Sequence, residues 1–277
     1  MLYLSLDDRE NALKTAAFYY SEEDAEQVVA DREKNGTTKT QKMLVKQAFC
    51  SPQYAKSSWI AIGLIFFAQM SGSSSFRTLA NPIYEAMFKD SDVTIGARTS
   101  VYCFTAATLV GSLASLVLVK YLDRKLQLWV GFLFAAVIWA VAAIAQVSGG
   151  VWLATCLTWF LGFEYAMFNY SCFFAHVAET NPDITLGIAS ISGAIWLLLG
   201  VLVLTPVINL VGPGLFFLIS AVIAFVGFVY CLFILRSSKG LTDKECKRLY
   251  WSRRFKQLSQ LEREKGEEDL VAEWSSD

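Results

Sequence analysis

This 277-residue chain has one histidine, five prolines, no excess of charge of either sign, and a long middle almost without charge. Each shortage removes a class of function. The lone His176 has no second imidazole or thiolate at metal-ligand spacing, and no HExxH pattern occurs, so a histidine-built metal centre is excluded. Ser71 and Ser73 to Ser75 have no histidine within reach for nucleophilic catalysis, because His176 falls at the other end of its apolar segment. An enzyme is not expected, and no cofactor is implied. A formal net charge of −1 leaves no large basic surface, so nucleic acid is not an expected partner. The six cysteines, Cys50, Cys103, Cys156, Cys172, Cys231 and Cys246, form no close CxxC or Cys/His cluster and read as small apolar residues.

What is abundant is apolar length. Hydrophobic residues make up 55% of the chain, and from Ser57 to Leu235 only 13 of the 49 charged side chains occur. A bilayer core about 30 Å thick takes about 20 apolar residues per helical span, which gives this block room for six. The runs lie at about 57–88, 97–119, 126–147, 151–177, 186–209 and 214–235. Ser148-Gly149-Gly150 and Gly212-Pro213-Gly214 supply tight turns, so the third and fourth spans, and the fifth and sixth, read as hairpins. The expectation is an all-α polytopic membrane protein with the bilayer as its partner. It divides into residues 1–56 (cytosolic helices), 57–235 (a six-helix transmembrane bundle) and 236–277 (a cytosolic helical tail).

Helix signals mark both flanks. Ser21 with Asp24 three residues later opens one helix that Asn35-Gly36 closes, and Thr242 with Glu245 opens another running to about Glu268. No secretory signal peptide is read in residues 1–56, so the first span directs insertion. Of the 24 Lys and Arg residues, 21 precede Ser57, lie at 120–125 or follow Leu235, which places both termini in the cytosol. The sequon at Asn35 is then on the wrong side for glycosylation, and that at Asn169 lies within a span.

Several polar residues sit where lipid would reject them. The first span is interrupted by Gln69-Met70-Ser71-Gly72-Ser73-Ser74-Ser75-Phe76-Arg77 and then by Asn81-Pro82. Broken helices face protein or water, and such breaks recur at transporter binding sites. Small residues also allow close helix packing, so a cavity and a packing seam are both open readings. Arg77 and Glu164 fall at similar depth. An ion at the bilayer centre costs about 2.5–3.5 kcal/mol, so they either pair across the bundle, or Arg77 snorkels outward while Glu164 is hydrogen-bonded or protonated. Trp196 in the fifth span is a packing residue or an aromatic wall of a cavity.

In order along the chain, these features resemble the C-terminal half of the glucose-transporter-like sugar porters of the major facilitator superfamily. Phe66-Phe67-Ala68-Gln69-Met70-Ser71-Gly72 resembles the seventh-span glutamine signature of that family. Val119 to Lys125 resembles its basic turn between the eighth and ninth spans. Phe163-Glu164 resembles the Phe-Glu pair of the tenth span, and Val177-Ala178-Glu179 its inner end. Gly193 to Trp196 is similar to the eleventh-span tryptophan region, Val211 to Phe217 to the turn into the twelfth, and Ser238 to Thr242 to the tail motif.

The resemblance implies half of a major facilitator fold, facilitative transport of a hexose or related small polyol, and residence in the plasma membrane. It also implies substrate contacts at Gln69, Ser74, Glu164 and Trp196. The alternative is a non-transporting membrane interaction or regulatory protein derived from such a bundle. Because the chain starts within the linker of the family pattern, the expectation is a half-length member that pairs with another copy or with a second six-helix half, or else a truncated product without transport. Ala68 stands where the family has its first signature glutamine, Ser74 where it has an asparagine, and Thr78-Leu79 where it has the tyrosine pair of the outer gate. The run Tyr165 to Cys172 has no proline or glycine where the family bends its tenth helix, which places hinge function in doubt.

Overall fold

A computed structural model describes residues 45–89, 95–239, 241 and 246–251. The expected flanking helices before residue 45 and from Thr242 to Glu268 lie outside the described residues, apart from 246–251. Helix is the only regular secondary structure among the described residues. In chain order it comprises α1 (Val45–Cys50), α2 (Ala55–Met70), α3 (Ser73–Phe88), α4 (Ala97–Tyr121), α5 (Arg124–Val147) and α6 (Val151–Glu164). A π-helix (Tyr165–Tyr170) follows, then α7 (Ser171–Thr180), α8 (Asp183–Val211) and α9 (Pro213–Ile234).

Among the described residues six helical stretches are long and apolar enough to cross a membrane: Ala55–Phe88, Ala97–Val119, Arg124–Val147, Val151–Thr180, Asp183–Val211 and Pro213–Ile234. They match the six apolar runs, and the chain is an integral membrane protein built as a six-helix bundle. The first stretch is α2 and α3 joined across Ser71-Gly72. The fourth is α6 and α7 joined through the π-helix.

The hairpins form where glycine permits them. Gly149 and Gly212 take φ values of 80° and 95°, a backbone region that glycine enters without steric cost. Helix α5 packs most extensively on α9, and α4 on α6. Two apolar clusters fill the bundle. Phe76 lies at the centre of the one on the hairpin-turn side, edge-on to Tyr84 at 5.5 Å and to Trp139 at 5.6 Å. Leu64, Phe132, Phe173 and Tyr250 belong to the other, toward the end bearing Arg124. Faces turned away from the bundle are apolar, with Leu198, Leu202 and Val203 exposed on α8 and Leu113, Leu116 and Val117 exposed on α4.

Candidate functional site

The break between α2 and α3 organises the middle of the bundle. Gly72 adopts φ 88°, which ends the first helix, and the amide of Phe76 takes up the Gly72 carbonyl at 2.7 Å to start the second. Ser71, Ser73, Ser74 and Ser75 are all buried at this junction. Helix α8 comes close to it at two glycines spaced by two turns. A methyl added at Gly193 would sit 3.0 Å from Ile65 and 3.5 Å from Gln69 Nε2, and one at Gly200 would meet Ser75 Oγ at 2.9 Å. Both readings of the broken segment therefore meet here: small residues do pack the helices closely, and polar groups are held at the seam.

The four residues expected to contact substrate fall into two pairs. Gln69 lies against Gly193 on the α2/α8 seam, and its Oε1 is buried without a hydrogen-bond partner. Trp196, one turn beyond Gly193, packs edge-on to Phe66 with ring centroids 4.9 Å apart. Gln69 and Trp196 thus share one seam. Ser74 and Glu164 share another: Ser74 Oγ is hydrogen-bonded to the Tyr165 hydroxyl at 2.8 Å, beside Glu164. No hydrogen bond among the described residues joins the two pairs.

Glu164 is 1% exposed and turned into the bundle. Its Oε1 accepts from Asn169 Nδ2 at 3.2 Å, and its Oε2 is buried without a partner. Asn169 in turn rests on Gly131 of α5, where a methyl would lie 2.7 Å from its Oδ1. Arg77 is exposed, with no ion pair or hydrogen bond among the described residues. The Arg77–Glu164 pair therefore does not form. Similar depth left the azimuth open: Arg77 is exposed, while Glu164 is buried with its Oε1 on Asn169.

The hinge expectation is also revised. The family's proline and glycine are absent from Tyr165–Tyr170, yet the helix departs from α geometry there, as a π-helix. A single π-turn is a frequent mark of functional sites and of bends. It frees backbone carbonyls, and Gln127 of α5, fully buried, donates Nε2 to the Met167 carbonyl at 2.9 Å. Gln127, Tyr165 and Asn169 are the site residues that sequence reading missed. Their signal was only that of polar groups inside apolar runs.

At the basic end, a second polar group ties the C-terminal segment to α7. Arg124 contacts Glu179 at 3.3 Å, and Ser238 Oγ donates to the other Glu179 oxygen at 3.0 Å. Beside them is a cavity of about 350 Å³ whose lining includes Asp123, Arg124, Glu179 and Lys239. Tyr250 is 2% exposed, and its hydroxyl oxygen accepts from the Arg236 amide at 3.1 Å. Its proton is then available to His176 Nε2, also at 3.1 Å.

Burial pushes the Tyr250 phenol up to about 12, with the Arg236 amide pulling weakly the other way. A raised phenol pKa means that the docked state holds the proton more tightly than the undocked one. Its contribution to stability is complete below about pH 10, the free tyrosine value, and is lost as pH rises through 12. Phenolate absorbance should therefore show a late step in the wild type that is missing in Tyr250→Phe. A Tyr250 step near pH 10 would overturn this.

Among the described residues no group of three or more His, Cys, Asp and Glu side chains could hold a metal. A family model described as "Sugar (and other) transporter" matches residues 3–250. No curated protein matches the chain.

Proposed function

Because the chain belongs to the sugar transporter family, we propose that it carries a hexose or related small polyol across the membrane by facilitated movement, as one of two bundles around a shared cleft. The observation that carries this reading is Gln69 Oε1, a buried amide oxygen without a partner at the break in the first span. The Nε2 end of the same side chain lies against Gly193, three residues before Trp196, whose ring packs on Phe66. An uncharged polyol needs such acceptors together with an aromatic face. Gln69 and Trp196 would bind it, with Ser74 and Glu164 contributing once their present partners release them. The basic end faces the cytosol with both termini, and the plasma membrane is the expected location.

The test is uptake of labelled hexoses by proteoliposomes bearing the full chain, with and without an imposed proton gradient. Saturable uptake independent of the gradient is expected. Gln69→Ala should weaken apparent hexose affinity about two- to tenfold, the scale of one neutral hydrogen bond. Uptake that tracks the gradient would refute the facilitative form.

One observation favours the second reading, a membrane interaction protein without transport. Two of the four expected contacts, Ser74 and Glu164, already have partners within the fold, in Tyr165 and Asn169. Absence of binding of any hexose by stable, monodisperse protein would decide for it.

A further inference from the structure

Helix α3 exposes a run of polar side chains that includes both a cation and an acid, Arg77 and Glu85. Where α8 and α4 expose leucine and valine, α3 exposes Arg77, Thr78, Asn81 and Glu85. Arg77 and Thr78 precede the kink at the non-helical Leu79 (φ −103°, ψ 16°), Asn81 and Glu85 follow it, and all four are exposed, a polar stripe bent at that kink in the half of the first span beyond Gly72. The stripe continues inward to Ser74, whose Oγ meets Tyr165. Its acid is occupied: Asn81 Nδ2 donates to Glu85 Oε1 at 2.6 Å. Its cation is free, since Arg77 has no hydrogen bond or ion pair among the described residues, and the nearby Glu164 is buried against Asn169. Arg77 stands 11 residues before Phe88, the last residue of α3, about 16 Å at 1.5 Å per residue. A guanidinium at that depth, on a face with three further polar side chains, borders water rather than acyl chains.

We propose that Arg77 is an anion-recognising residue of the transport cleft, so that the preferred cargo is a sugar bearing a carboxylate rather than a neutral hexose. This rests on the transport reading above and departs from it in one respect, the charge of the preferred cargo. A guanidinium fork matches a carboxylate with two parallel hydrogen bonds. A neutral hexose would enter the same cleft leaving the cation without a counter-charge. The hydroxyls of such a cargo find partners on the same face. Thr78 Oγ1 donates to the Ser74 carbonyl at 3.2 Å and so keeps its lone pairs available as acceptors.

Binding of glucuronate and of glucose to the full chain in lipid nanodiscs, measured by scintillation proximity, tests this. The expected result is an affinity for glucuronate about tenfold above that for glucose, the scale of one charge-assisted contact. In Arg77→Gln the ratio should collapse to about one, and in Arg77→Lys, which keeps the charge but loses the fork, it should fall in between. Arg77 is exposed and has no hydrogen bond or ion pair among the described residues, so neither substitution breaks such a contact of the fold. Glucuronate and glucose binding alike, with a ratio insensitive to both substitutions, would overturn the proposal while leaving sugar binding intact. That outcome would assign Arg77 to lipid phosphate. Failure of both ligands to bind would overturn it together with the transport reading.

Discussion

Gly72→Ala is expected to lose about 2–5 kcal/mol of folding stability. The backbone there sits at φ 88° and ψ −25°, and an L-residue held in left-handed geometry costs roughly 1–2 kcal/mol. The methyl would also run into Ser220 Oγ of α9 and lie 3.4 Å from the Trp139 ring, and overpacking of this kind adds about 1–3 kcal/mol. Gly149→Ala separates the two terms. It shares the positive φ, 80°, but has open space around it, so it should show only the backbone part. Thermal unfolding of the two variants in one detergent is the measurement, and equal losses would show that packing against Ser220 contributes nothing.

Gly111→Ala should cost about 1–3 kcal/mol, the range for overpacking, and its effect should reach the polar centre. A methyl at Gly111 would collide with the Phe163 carbonyl oxygen. A backbone oxygen cannot rotate aside as a hydroxyl can, so α4 and α6 must separate. Small residues at such crossings are what let membrane helices approach. The residue pushed adjoins Glu164, and any shift passes to its bond with Asn169. Gly187→Ala on α8 meets nothing within reach, and should gain up to about 1 kcal/mol from helix propensity. If the two alanine variants melt alike, the contact at Gly111 does not hold the bundle together.

Span number and length were legible because the bilayer imposes them. The run expected at 97–119 is observed as Ala97–Tyr121, and that at 214–235 as Pro213–Ile234. The polar break was legible for the same reason: Ser71 to Ser75 cannot lie on lipid, and the structure buries Ser71 and Ser73 to Ser75. Azimuth was not legible. Depth follows from counting residues, but the direction of a side chain depends on which helix comes alongside. Counting residues therefore left open whether Arg77 and Glu164 pair, and of the two readings it is the hydrogen-bonded Glu164 that is observed. The π-helix was hidden for a different reason. Tyr165–Tyr170 has ordinary helix formers, and its irregularity rests on a tertiary bond from Gln127, 40 residues away. The absence of proline and glycine placed hinge function in doubt, although a register change needs neither. Tyr250 was likewise invisible as a docking residue, because its partner His176 lies in another span.

The widened turn at Tyr165–Tyr170 holds one surplus residue relative to an α-ladder. Like a dislocation in a crystal, such a defect can migrate one position without the helix melting, exchanging one carbonyl partner for the next. Each step would turn the stretch it passes by about 100°, the angle per residue in a 3.6-fold helix. Glu164 borders this defect and Asn169 lies within it, so a single step toward the N-terminus is enough to rotate a sequestered carboxylate toward a different wall, with Gln127 as the pawl that fixes which notch is occupied.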